Sequence, residues 1–126
     1  YKQLHDSQIL DGPKIDLLFQ LIQDLKSYYF TKQHQIRPNI TDSALVSDTL
    51  ISKILMGVLG NIPAYDRFVK AGLKKSHLLQ TMSPKGYKQL CDFYKKNQKE
   101  IDVLHKTYHI YPPMKILDMY FWGLGQ

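Results

Sequence analysis

The chain has 126 residues, 44 % hydrophobic and 22 % charged, which suits one domain with its own core and excludes wholesale disorder. A lone cysteine, Cys91, excludes an internal disulfide framework, so a reducing cytoplasm is the default compartment. The net charge of +6 lies wholly in the second half: residues 1–62 carry six Lys/Arg against six Asp/Glu, and residues 63–126 carry eleven against five.

In chain order the apolar spacing is helical. From Gly12-Pro13, residues Ile15, Leu18, Phe19, Ile22, Leu25 and Tyr29 recur three or four apart on one face. Asp11 or Gly12 can cap this helix, with Pro13 in its first turn. TKQHQIRPN (31–39) is polar, ends near a proline, and reads as a loop. A second helix is expected over 40–61, capped by Thr41, Asp42 or Ser43 and stopped by Gly60-Asn61. It is apolar on most of its girth, which places it centrally. Its most apolar part, Leu50 to Ile62, contains Lys53 and is too short to span a membrane.

Pro63 opens a short helix that Gly72 closes. KKSHLLQTM (74–82) is a link with room for one turn. Ser83-Pro84 starts a long helix to about Tyr108, with Leu90, Tyr94, Ile101, Leu104 and Tyr108 inward. Tyr111-Pro112-Pro113 breaks it, and a last helix buries Met114, Leu117, Phe121 and Trp122. No alternating stretch competes for a strand. The expected fold is an all-α, single-domain bundle of about five helices. No basic-then-apolar leader opens the chain. It starts at Tyr1 without methionine, as a piece of a longer protein would.

Asp66 is the first residue that invites chemistry. If Pro63 opens the helix, Asp66 falls in the first turn, where the helix dipole favours a carboxylate by about 0.3–1 kcal/mol. That local role needs no active site. A catalytic role needs an apolar pocket around the carboxylate and a substrate within reach.

The segment SKILMGVLGNIPAYDRFV (52–69) runs as an apolar helix ended by glycine, a short loop, then Pro-x-x-Asp at a helix start. It resembles the core of the helix-hairpin-helix DNA glycosylase superfamily. LDMYFWGLG (117–125) is similar to the closing helices of glycosylase-like small proteins. The resemblance implies a catalytic aspartate at Asp66 that stabilises a cationic sugar during base excision, with Tyr65 or Arg67 orienting it. The family's phosphate-gripping hairpin has no glycine-bearing counterpart in SALVSDT (43–49). Its lysine nucleophile has no counterpart either, because Lys53 is too close to Asp66.

The basic half carries two lysine rows. Arg67, Lys70 and Lys74 recur at helical spacing, as do Lys85, Lys88, Lys95 and Lys99. Asp92 interrupts the second row and can pair with Lys88 or Lys96. With arginine scarce, contact with a nucleic acid would be made to phosphates and carry little sequence information. Asp102, His105 and His109 share a helix face, but Lys106 stands where a zinc protease needs glutamate. No metal is assigned. No glycine-rich phosphate loop, Gly-x-Ser-x-Gly or Cys-x-x-Cys occurs, so no cofactor is assigned.

The sequence therefore reads as a non-enzymatic binding module. Arg67, Lys70, Lys74, Lys88, Lys95 and Lys99 are the expected contacts to a nucleic-acid backbone or an acidic protein surface, with no membrane partner. One alternative is a glycosylase-like enzyme using Asp66. The other is a regulatory domain that binds protein through its tyrosine-rich helices.

Overall fold

The computed structural model describes residues 4, 11–36, 38 and 47–126. Among the described residues there are six α-helices and no strand: α1 (Gly12–Ile36), α2 (Asp48–Val58), α3 (Arg67–Lys75), α4 (Pro84–Lys96), α5 (Gln98–Thr107) and α6 (Pro113–Leu124). None is long and apolar enough to cross a membrane. The all-α expectation holds, with one helix more than the spacing implied.

Helix α1 runs through most of the expected loop. Thr31 to Ile36 contain no glycine or proline, and such polar residues extend a helix at little cost. The helix ends ahead of Pro38, whose ring disfavours helical backbone at the residue before it. Helix α2 begins at Asp48, with the Ser47 hydroxyl accepting the Leu50 N–H at 3.1 Å. Thr41, Asp42 and Ser43 lie outside the described residues. Lys26 of α1 forms an ion pair with Asp48 at the start of α2.

Ser83 caps α4 as expected, accepting the Gly86 N–H at 3.1 Å. The helix expected over 84–108 is interrupted at Asn97. Its side-chain amide donates to the Phe93 carbonyl at 2.9 Å, and its own N–H turns back to Phe93 and Tyr94. Asparagine competes for helix backbone groups in this way, which ends α4 there. The break rotates the following face. Ile101 is buried, but Leu104 and Tyr108 are exposed rather than inward.

The core gathers Leu18 and Ile22 of α1, Ile51 of α2, Leu73 of α3, Leu90 of α4 and Phe121 of α6. The closest helix pair is α3 with α6. Gly72 does not close α3. It sits inside the helix, where a Cβ would overlap the Phe121 backbone. Gly125 fills the same role from the other side, against the backbone of Phe68 and Gly72.

Candidate functional site between α2 and α6

Residues 60–66 connect α2 to α3 and are pinned at nearly every step. Gly60 takes φ +68°, which suits glycine, and its N–H returns to the Leu55 carbonyl at 3.1 Å. The buried Asn61 amide donates to the Leu4 carbonyl at 3.0 Å, and the Asn61 carbonyl accepts the Tyr87 hydroxyl at 2.6 Å. The Ala64 N–H donates to Asp118 Oδ1 of α6 at 2.9 Å. The Tyr65 N–H donates to Ser52 Oγ at 2.8 Å, and the Tyr65 carbonyl accepts Thr49 Oγ1 at 2.7 Å. Three helices thus fix the backbone that delivers Asp66.

Asp66 is the N-cap of α3, one position before the helix rather than in its first turn. Pro63 belongs to the extended connection, and the carboxylate supplies the start signal. Its Oδ1 accepts the Val69 N–H at 2.9 Å. The same side chain lines a cleft of about 690 Å³ between α2, the connection and α6. This is within the usual size of small-molecule sites, roughly 300–1,000 Å³. Lys53, Asp66, Lys115 and Asp118 are its charged members. Met56, Ala64, Met119 and Trp122 supply most of its apolar wall.

Asp118 is only 6 % exposed. Its Oδ1 holds the Ala64 N–H, and its Oδ2 lies 3.4 Å from Lys115 Nζ one helical turn earlier. Burial raises its pKa above the ordinary carboxylate value. The Ala64 N–H and Lys115 oppose that rise, while the neighbouring Asp66 charge adds to it. Lys115 therefore answers Asp118. Lys53 and Asp66 form no ion pair with any described residue.

Trp122 was expected inside and is instead 44 % exposed. Its ring meets Phe68 edge-on at 5.5 Å, and the Arg67 guanidinium lies 4.7 Å from the Phe68 ring centre. An aromatic track thus leads from Arg67 at the start of α3 to the cleft wall. Tyr65 is fully buried and does not line the cleft, so its ring is not placed to orient a substrate there.

Arg67, Lys74, Lys88, Lys95 and Lys99 are exposed and Lys70 is half-buried. The break at Asn97 puts Lys99 on α5, apart from the α4 row of Lys85, Lys88 and Lys95. Asp92 pairs with neither Lys88 nor Lys96; of the eleven Lys/Arg in residues 63–126 only Lys115 is in an ion pair with a described residue. His105 lies in the last turn of α5, which ends at Thr107, and His109 lies beyond it, so their expected helical register is lost. No group of three or more His, Cys, Asp or Glu among the described residues could hold a metal ion. Cys91 is buried, and burial pushes its thiol up to about 11, far from a reactive thiolate.

A second hollow of about 480 Å³ between the end of α3 and α4 involves His77, Asp92 and Lys96. None of the residues singled out as contacts lines it. Sequence reasoning missed Asp118, Lys115 and Trp122 as site residues. One signal was present: Asp118 is an acid on the Met114–Leu117–Phe121 face of a helix whose only other charged residue is Lys115.

Comparison with protein-family models, curated proteins and solved structures finds no match to this chain.

Proposed function

We propose that this chain is a non-enzymatic helical binding module whose second half contacts the phosphate backbone of a nucleic acid. One observation carries the reading. Ten of the eleven cations in residues 63–126 have no carboxylate partner among the described residues, and nine of those ten are exposed. Unneutralised lysines attract a polyanion and release its counterions on contact. Arg67, Lys70, Lys74, Lys88, Lys95 and Lys99 act as electrostatic positioners and read no sequence. The test is an electrophoretic shift with unrelated DNA and RNA sequences at low and moderate salt. Binding is expected at low salt, indifferent to sequence and falling steeply as salt rises. No shift at low salt defeats the reading. A shift by polyglutamate with none by nucleic acid would assign the charge to an acidic protein surface instead.

A second reading has its own support: the Asp66 carboxylate both caps α3 and lines the cleft. In a glycosylase-like enzyme it would stabilise positive charge developing on a sugar, with Arg67 beside it. Incubation with oligonucleotides bearing damaged bases, followed by alkaline cleavage at abasic sites, tests this. Asp66→Asn should abolish any product while the fold persists.

A further inference from the structure

Resting on the nucleic-acid reading, we infer that the cleft between α2 and α6 receives the base of one unpaired nucleotide, stacked on Trp122. The cleft holds what such a group needs and little that it does not. Trp122 offers a flat, half-exposed aromatic face, and Met56 and Met119 are soft side chains that shape themselves around a planar ligand. The volume of about 690 Å³ accepts a base with its sugar.

The charges sort in the same way. Lys115 is committed to Asp118, which is committed to the Ala64 N–H. That leaves Lys53 for a phosphate and Asp66 to accept from an exocyclic amino group or ring N–H. Arg67, next to Asp66, stands over the Phe68 ring that meets Trp122 and can take the next phosphate outside the cleft. The cleft is therefore continuous with the basic start of α3. A base stacked within a duplex has both faces covered and cannot reach Trp122. The occupant is an unstacked nucleotide, whether part of a strand or free.

Trp122 is the only tryptophan in the chain, so intrinsic tryptophan fluorescence reports on this wall alone. Four probes are titrated into the whole chain at low salt: a fluorescein-labelled single-stranded oligo-dA, its duplex with oligo-dT, an abasic strand of equal length, and dAMP. Anisotropy reads strand binding and tryptophan emission reads the cleft. All three strands should bind, but only the base-bearing single strand should quench Trp122. Trp122→Ala should weaken the single strand by about 5-fold or more relative to the abasic strand. Trp122→Phe, which keeps a stacking face, should restore the affinity, and circular dichroism checks that both variants fold.

Strand binding with unmoved tryptophan emission, or equal quenching by the abasic strand, overturns the inference and leaves the backbone reading standing. Quenching by dAMP without strand binding supports the base site, assigns it to a free nucleotide, and removes the backbone reading. No response to any probe removes both.

Discussion

The junction of α3 with α6 and the arm formed by α4 and α5 solve different problems. At the junction the helices meet backbone to backbone, because Gly72 and Gly125 leave no side chain between them. The nearby Asp118 is buried with both oxygens engaged. On the arm, Ile101 is the one buried residue of α5, and Val103 and Leu104 face outward among charged neighbours. The junction depends on positions to within a fraction of an ångström. The arm buries Tyr87 and Leu90 in the core but turns an outer face of lysines to solvent, and charge acts over a Debye length of about 8 Å at physiological salt. The cleft that holds Asp66 and Trp122 lies beside the first kind of packing. Diffuse attraction needs only the second.

The strongest way to break the contrast is to fill the junction. Gly72→Ala and Gly125→Ala each drive a methyl into a backbone carbonyl, of Phe121 and Phe68 respectively. Backbone cannot step aside as a flexible side chain can, so each should cost about 3 kcal/mol or more in urea denaturation. Gly123→Ala is the matched control on the same helix. Nothing stands within 4 Å of its added methyl, and its stability should change by less than about 1 kcal/mol, upward if at all. Equal losses at all three glycines would show that close approach is not what holds α3 on α6.

Asp118 comes next. Asp118→Ala leaves the buried Ala64 N–H without an acceptor, a loss of about 1–3 kcal/mol. Asp118→Asn keeps an acceptor and removes the charge. Because burial raises the folded-state pKa of Asp118, the folded chain holds this proton more tightly than the unfolded chain does. The group's contribution is thus most favourable at acid pH and is lost as pH rises through the carboxylate range. Denaturation midpoints followed from acid to neutral pH should show Asp118→Asn gaining on the parent chain as pH rises. A gap that narrows instead would mean that Lys115 outweighs desolvation.

The same contrast explains what the sequence revealed. Helical spacing, the Ser83-Pro84 start and the Gly60 stop were legible because each is a local rule, satisfied within a turn or two. The identity of the cleft was not. Asp118 and Ala64 are 54 residues apart and linked by one hydrogen bond, and no spacing rule reports such a pair. Trp122 looked like core because its neighbours are apolar, yet Phe121 takes the inward position and turns it to the surface. The split at Asn97 was missed because apolar residues continue beyond it at helical intervals. The bonds from the Asn97 side chain and N–H back to the last turn of α4 end the helix there.

Asp66 lies between the two regimes, and its two oxygens allow them to be separated. Asp66→Ala removes the acceptor for the Val69 N–H and should cost about 1 kcal/mol, the usual worth of an N-cap. Asp66→Asn keeps the cap and should leave the denaturation midpoint nearly unchanged. Any loss of ligand binding or of product in the asparagine variant then belongs to the cleft-facing charge and not to the helix. Were alanine and asparagine equally destabilising, the carboxylate's charge and not its hydrogen bond would be holding the helix start.

The smallest effect on stability is expected on the arm, where the largest effect on salt dependence should appear. Lys88 and Lys95 are exposed on α4 and form no ion pair with a described residue. Lys88→Gln with Lys95→Gln should move stability by less than about 0.5 kcal/mol. In duplex binding, the slope of log affinity against log salt should fall by about 0.9 for each lysine that had met a phosphate. Lys26→Gln is the control. Lys26 is a cation already answered by Asp48, at the contact between α1 and α2, and its removal should leave that slope unchanged. If the Lys26 variant flattened the slope as much as the α4 pair, net charge alone would account for attraction to a polyanion. If only the α4 pair does so, the polyanion lies along that helix. The distribution of charge would then matter beyond its sum of +6.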